Sequence, residues 1–366
     1  MEALLVSRLP EGHEWRYEPK WDGFRCLAYK RKTSVTLHSK SGKPLDRYFP
    51  DIVRVLAKLK ADNFVLDGEL LIKGEEGYSF TDLQMRLHPA ASRVSMLAKK
   101  QPATFVLFDI LEAETDSAVM SAPFAARRLR LESFYARYCA KEPALQLSPQ
   151  TASIAEAMAW LKSTGWYIDG IVAKHTLAAY EPGERVMQKY KPIRTADCVV
   201  GGFRYGSGSE EVGSLLLGLY DKNGRLNHVG FTSGIAKADK PSLTKTLEAL
   251  VHEPGFDGKA PGGPSRWSTE RSTTWTPLSP QIVVEVSFDH VTDDRFRHGT
   301  KLLRFRPDKA PRQCTMEQIR SIGVTCLGCP PFGPATVTSN DAGSIAKFSD
   351  RGRLRTSGPP SPPARE

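Results

Sequence analysis

A change of texture near Pro192 constrains this chain more than any other feature. Before it, strand-like and helix-like segments alternate. Asp51 to Lys60 places Ile52, Val53, Val55, Leu56 and Leu59 on one helical face. Phe64 to Ile72 and Ala103 to Leu111 carry the β-branched and aromatic residues of strands. Pro123 to Ala140 and Thr151 to Thr164 read as helices, and Ile168 to Lys174 and Val186 to Lys191 as short strands. From Ala196 onward short β runs dominate, separated by turn residues such as Lys222-Asn223-Gly224 and interrupted by one helix-like stretch, Leu243 to His252. Five or so short strands with one helix in about 110 residues suggest a small barrel, with an OB-fold as the candidate. The expectation is an α+β chain: a first domain over 1–194, a barrel over 195–312, and a tail over 313–366.

Beyond Pro311 the periodicity is lost, and from Pro330 the chain is rich in Pro, Ser, Gly and Arg. Such a segment cannot bury enough apolar surface to offset chain entropy, so the tail is expected to be largely disordered. The formal net charge is +10. It suits a polyanionic partner such as nucleic acid and a generally basic cytosolic enzyme equally. No window approaches the roughly 18 apolar residues of a membrane span, and the start of the chain is not a secretion signal. Six scattered cysteines do not resemble a disulfide framework, and Cys326 and Cys329 lack a second pair at zinc-site spacing. These features point to a reducing cytoplasm.

The strongest local signal is Lys20-Trp21-Asp22-Gly23-Phe24-Arg25. As a bare hexapeptide it is a turn with solvated Lys20 and Arg25. A phosphoryl-transfer reading explains more. A neutral lysine amine can attack the α-phosphate of a nucleotide, expel pyrophosphate and form a phosphoramidate. Neighbouring cations and partial burial lower a lysine pKa, and Arg25, Lys189 and Lys191 could supply the cations. The chain has no Walker-type phosphate loop, and Gly206-Ser207-Gly208 reads as a simple loop.

Further segments follow in order: Ser39-Lys40-Ser41-Gly42, Leu66-Asp67-Gly68-Glu69, Phe105 to Asp109, Asp169 to Lys174, Gln188-Lys189-Tyr190-Lys191, and Arg297-His298-Gly299 through Arg306-Pro307-Asp308-Lys309. With Lys20 to Arg25, this series resembles motifs I, Ia, III, IIIa, IV, V and VI of the covalent nucleotidyltransferases. Within them it is similar to bacterial ATP-dependent DNA ligases of the ligase C and ligase D type, over about residues 1–310. The resemblance implies an ATP-grasp-like adenylation domain followed by an OB-fold domain.

It also implies roles. Lys20 would be the nucleophile, and Glu18, with nearby backbone, would read the adenine edge. Arg25 would contact the ribose, and Lys40 the nucleotide phosphates. Phe108 would stack on adenine with Val172 over its other face, although core packing is the ordinary fate of such residues. Glu69 would bind ribose or metal, and Asp169 would ligate Mg²⁺, with Mn²⁺ as a substitute. Lys189 and Lys191 flank Tyr190, so a strand would aim both at one phosphate. Arg297, Arg306 and Lys309, with Asp308, would close over the β- and γ-phosphates.

Two positions depart from the pattern: Lys40 stands where arginine is usual, losing bidentate geometry, and Asp169 stands where glutamate is usual. The implied activity is the sealing of 3′-hydroxyl/5′-phosphate nicks in duplex DNA through a lysyl-AMP. The implied setting is DNA repair with partner proteins, by a monomeric two-domain enzyme at the bacterial nucleoid. An mRNA-capping guanylyltransferase and an inactive OB-fold nucleic-acid-binding protein are the competing readings.

Overall fold

The computed structural model describes residues 1–74, 77–114, 119–163, 168–262 and 274–320. The Cys326–Cys329 pair and the tail from residue 321 on lie outside the described residues.

The first part of the chain forms two sheets. One has five strands in the order β4 (Ser34–Ser39), β3 (Phe24–Arg31), β5 (Asn63–Ile72), β6 (Ala103–Ala113) and β7 (Leu145–Leu147). The other runs β1 (Ala3–Val6), β9 (Met187–Tyr190), β8 (Ile168–His175) and β2 (Trp15–Trp21). Helices α1 (Pro50–Lys58), α2 (Phe80–Met85), α3 (Ala91–Lys100), α4 (Phe124–Phe134) and α5 (Ile154–Ser163) complete this part. Proline at the start of α1 suits a position whose N–H has no partner inside the helix. Ile52 and Leu56, one turn apart, bury its inner face.

Strand β5 shows how sequence becomes site. Phe64, Leu66, Leu70 and Ile72 enter the core beneath the five-stranded sheet, while Val65 and Leu71 pack into clusters on the opposite face. Strand alternation therefore sends Asp67 and Glu69 to that second face. The same parity in β3 buries Cys26 and Ala28 below and turns Arg25 the other way, beside Leu27 and Tyr29. In β6, Phe105 and Leu107 go below, and Phe108 shares the upper face with Val106.

The second part is a barrel with strand order β12 (Leu226–Thr232), β11 (Val212–Tyr220), β10 (Arg194–Tyr205), β14 (Val283–Phe288) and β17 (Lys301–Phe305). Strand β13 (Thr276–Pro277) pairs with β10, and β15 (Val291–Thr292) with β16 (Arg295–Phe296) makes a hairpin. A parallel bridge between Thr232 and Thr300 curls the edges together. Helix α6 (Lys240–Glu248) packs Leu243 and Leu247 into the barrel core.

The barrel does not end at residue 312. Cys314, Met316 and Ile319 are buried in its core, and Gln318 exchanges hydrogen bonds with the backbone of Asp197. Its packing therefore reaches at least the helical turn Glu317–Arg320. Periodicity failed to announce this segment because it buries scattered single side chains rather than a continuous face. The expected helix over 123–140 is α4 continued by a π-helical turn, Tyr135–Cys139. No helix among the described residues is long and apolar enough to cross a membrane.

Candidate active site

Lys20 lies near the end of β2, and its position depends on a flaw in the β2–β8 ladder. Lys20 pairs with Gly170, but Trp21 pairs with Ile168, so Asp169 is the extra residue of a bulge. Bulges re-aim side chains, and this one delivers the Asp169 carboxylate to the Lys20 amine at 2.6 Å. Gly170 makes the bulge possible. Its φ is +154°, and a Cβ there would sit 2.1 Å from the Tyr190 carbonyl oxygen. Lys191, just past β9, reaches the same Asp169 oxygen at 2.7 Å. One carboxylate thus bridges two ammonium groups, which hold its pKa below the ordinary value even though burial acts to raise it.

The charge state of Lys20 differs from the expectation. Burial alone would lower its pKa, but the Asp169 contact, with help from Glu69 and Asp22, outweighs burial and raises it above the usual lysine value. Lysine clustering acts on Lys189 instead. Burial and the charges of Lys20, Lys191 and Lys40 lower its pKa. Arg25 is not among the cations that depress Lys20. Its Nε and NH2 donate to Asp67 at 3.1 and 2.7 Å, its NH1 donates to the Met1 carbonyl at 2.6 Å, and Tyr180 adds a 2.8 Å hydrogen bond to the same fully buried carboxylate.

Glu69 accepts from the Gly23 backbone N–H at 3.2 Å. Gly23 is required there, because a Cβ would meet the Leu70 carbonyl oxygen at 2.3 Å. Burial pushes the Glu69 carboxyl up to about 8, against the pull of Lys20 and Arg25. Lys40 pairs with Glu2 at 2.9 Å. Val172 is the register partner of both Glu18 and Lys189. The Phe108 ring lies 4.8 Å from the Lys174 ammonium and 5.8 Å from the Arg25 guanidinium.

The Glu18 carboxylate does not stand open as an edge-reading group. It is buried, paired with Lys174 at 2.7 Å and accepting from Gln150 at 3.1 Å. The three barrel cations also part company. Arg297 reaches motif I, donating to Asp22 at 2.6 and 2.9 Å, with its guanidinium 3.2 Å from the Phe80 ring centroid. His290 stands 3.6 Å from the same carboxylate. Arg306 and Lys309 are held instead by the barrel's own Asp197, at 2.9 and 2.7 Å, and Arg306 also by Asp308. They do not join Lys20 in this arrangement.

Comparison with known proteins agrees with this layout. Residues 6–191 match the family described as ATP dependent DNA ligase domain, and residues 208–309 match its C-terminal region. A relative named DNA ligase C2, from Mycolicibacterium smegmatis, is 40% identical over 337 residues, which is 88% of this chain and 94% of that one. The chain belongs to the ATP-dependent DNA ligase family. The ligase is also 29% identical over 311 residues to a protein of Mycobacterium tuberculosis named multifunctional non-homologous end joining DNA repair protein LigD, covering 83% of this chain and 38% of that one. A solved structure from work on Lig E DNA ligases, 16% identical with a TM-score of 0.52, covers 84% of this chain and all of that chain, and shares the fold. The fold is thus an adenylation domain followed by an OB-fold domain, and the enzyme is an ATP-using DNA ligase.

Sequence reasoning missed Asp67, Tyr180, Lys174, Gln150 and Asp22 as organisers of the site. Asp67 carried a usable signal. A carboxylate inside the apolar run Asn63–Ile72 is costly to bury without a cation, which implies a partner such as Arg25.

Proposed function

We propose that Lys20 carries AMP from ATP to the 5′-phosphate of a nick in duplex DNA, and that the neighbouring 3′-hydroxyl then displaces AMP to close the backbone. The observation that carries this reading is the Lys20–Asp169–Lys191 contact at the β8 bulge. It holds a reactive amine in place as an ammonium. Anything that draws Asp169 away lowers the pKa of that amine, because burial then meets only the weaker opposing pull of Glu69 and Asp22. The freed amine attacks the α-phosphorus, its N–P bond forms, the bond to the pyrophosphate oxygen breaks, and the proton leaves to solvent. Lys189 and Lys191 offset the charge developing on the phosphate oxygens. Arg25, fixed by Asp67, orients the ribose, and Phe108 with Val172 flanks the base. Lys40, paired with Glu2 at rest, takes a phosphate. Arg306 and Lys309 engage the triphosphate only after leaving Asp197, so their part requires the barrel to move.

The residues present fit a divalent cation of the Mg²⁺ kind. Such an ion takes one or two carboxylates and completes its shell with water and substrate phosphates. No group of three or more His, Cys, Asp or Glu among the described residues could hold a metal unaided, but Asp169 lies 2.6 Å from the Lys20 amine and Glu69 accepts from the Gly23 N–H three residues on. These two carboxylates would hold it, and when bound it would neutralise phosphate charge.

The likeness to LigD supports a repair setting with partner proteins. The division into adenylation domain and barrel near Arg194, a monomeric state and a place at the nucleoid belong to the same reading. The test is mass spectrometry of the purified protein given ATP and Mg²⁺, followed by sealing of a nicked duplex. One AMP on the Lys20 peptide, absent in Lys20→Ala, is the expected result. Labelled Lys20→Ala protein would move the nucleophile elsewhere.

A further inference from the structure

The segment Ser148 to Thr151 ties the two sheets together at one end of the site. Ser148 N–H donates to the Leu107 carbonyl at 2.8 Å, next to Phe108 in β6. Three residues on, Thr151 and Tyr17 exchange backbone hydrogen bonds of 2.8 and 3.0 Å, next to Glu18 in β2. The strap is further fixed by Arg128, which donates to the Ser148 carbonyl at 2.9 Å, and by the Trp21 indole, which donates to the Ser148 hydroxyl at 3.0 Å. Gln150 is therefore suspended between the strand that carries Phe108 and the strand that carries Glu18.

The orientation of its amide follows from its neighbour. The Glu18 carboxylate accepts from Gln150 Nε2 at 3.1 Å, with Lys174 at 2.7 Å and Arg128 at 3.6 Å on the same group. An ionised carboxylate only accepts hydrogen bonds. Turning the amide over would set oxygen against oxygen. Gln150 must therefore give its NH₂ to Glu18 and direct its carbonyl oxygen elsewhere. Glu18 and Lys174 are both buried, whereas Gln150 is only half-buried. The polar atom this cluster can offer to a ligand is the Gln150 Oε1. The amide sits against Glu18, which precedes Lys20 by two residues and so shares its face of β2. Lys174, through a 3.1 Å bond to the Phe108 carbonyl, and Val172, the register partner of Glu18, complete the link to the flanking residues of the base.

We infer that Gln150 determines which nucleobase the ligase accepts: its side-chain carbonyl accepts a hydrogen bond from the 6-amino group of adenine and opposes the 6-oxo group of guanine. Glu18 acts as the positioning residue that fixes the amide, rather than as the reader. This inference rests on Lys20 being the nucleotide-accepting lysine.

The experiment compares ATP with purine riboside triphosphate, which lacks only the 6-amino group, as donors for covalent labelling of Lys20. Wild type and Gln150→Met, a substitution of similar length with no carbonyl, are measured side by side. One neutral hydrogen bond of about 1.4 kcal/mol corresponds to about a tenfold preference for ATP in kcat/KM in wild type. In Gln150→Met the preference should fall to near unity, and GTP should gain ground on ATP. Each ratio is taken within one preparation, so a reduced folded fraction cancels. A preference for ATP over the purine analogue that persists undiminished in Gln150→Met would overturn the inference and place the reader elsewhere. Absence of an adduct on wild type with any of the three nucleotides would instead defeat the lysyl-nucleotide reading, and this inference with it.

Discussion

Asp67→Asn isolates an ion pair of the site whose carboxylate is fully buried. The substitution keeps the shape of the side chain and removes its charge. Asp67 has no exposed surface, and it receives two hydrogen bonds from Arg25 and one from Tyr180. Removing one partner of a buried pair leaves an uncompensated charge and costs about 3–5 kcal/mol. Arg25 keeps some exposure and the Met1 carbonyl, so the lower end, about 3 kcal/mol, is expected. Urea unfolding of wild type, Asp67→Asn, Arg25→Met and the double variant measures this as a cycle. The double variant should be little worse than either single one, leaving a coupling of about 2 kcal/mol. Tyr180→Phe, which removes one neutral hydrogen bond, should cost only about 1 kcal/mol. In labelling assays Asp67→Asn should raise the KM for ATP more than it lowers the rate at saturation, because on the proposed function it loosens the Arg25 contact to ribose and leaves Lys20 in place. A coupling near zero, with Asp67→Asn costing under about 1 kcal/mol, would refute the claim that Arg25 is held by this carboxylate.

Three further outcomes follow from the geometry. Burial, then Arg295 and Arg204, lowers the His228 imidazole to about 3 from its ordinary 6.5. The folded state therefore prefers the neutral ring. Stability is full above pH 6.5 and declines as pH falls toward 3, by about 1 kcal/mol between pH 6 and pH 5; urea midpoints across that window should fall less in His228→Gln, and parallel curves would contradict this. Gly170→Ala places a methyl group against the Tyr190 carbonyl and should abolish Lys20 labelling even in whatever protein folds, as fluorescence and labelling of the same sample would show. Arg297→Ala removes the barrel's contact with Asp22; it should slow labelling of Lys20 by ATP at least tenfold while leaving sealing of a pre-adenylated nick less affected, and equal loss in both assays would place Arg297 outside the first step.

Much of this arrangement was legible in the sequence, for a reason that particular strands make plain. Period-two alternation in β3, β5 and β6 already separates Arg25, Asp67, Glu69 and Phe108 from the core-facing Cys26, Leu66 and Leu107. The motif order then places those residues along one surface. The partnerships were not legible. Arg297 and Asp22 lie 275 residues apart, and Asp67 and Tyr180 lie 113 apart. No local period encodes such pairs. The packing of the segment after Pro311 is not legible for a related reason: Cys314, Met316 and Ile319 fill separate gaps in a barrel built by distant strands.

The charge of Lys20 is the clearest case, because composition pointed one way and geometry the other. A stretch with Lys20, Arg25, Lys189 and Lys191 suggests a lysine stripped of its proton by like charges. In the folded chain the bulge at Asp169 interposes a carboxylate among them, and Coulomb attraction at 2.6 Å outweighs more distant repulsion. On the proposed function, Lys20 is therefore stored as an unreactive ammonium, with Lys189 and Lys191 close by. Weakening the main hold on that proton then takes a change of partner by one carboxylate, a short side-chain movement rather than a rearrangement of the strand. The shorter reach of aspartate at this position makes the bulge indispensable, since a regular β8 would point residue 169 to the other face of the sheet. Asp169→Glu, one methylene longer, should therefore keep the ion pair and labelling activity, whereas Asp169→Asn should shift the pH dependence of labelling toward lower pH. An unshifted profile in Asp169→Asn would mean that this carboxylate does not hold the proton on Lys20.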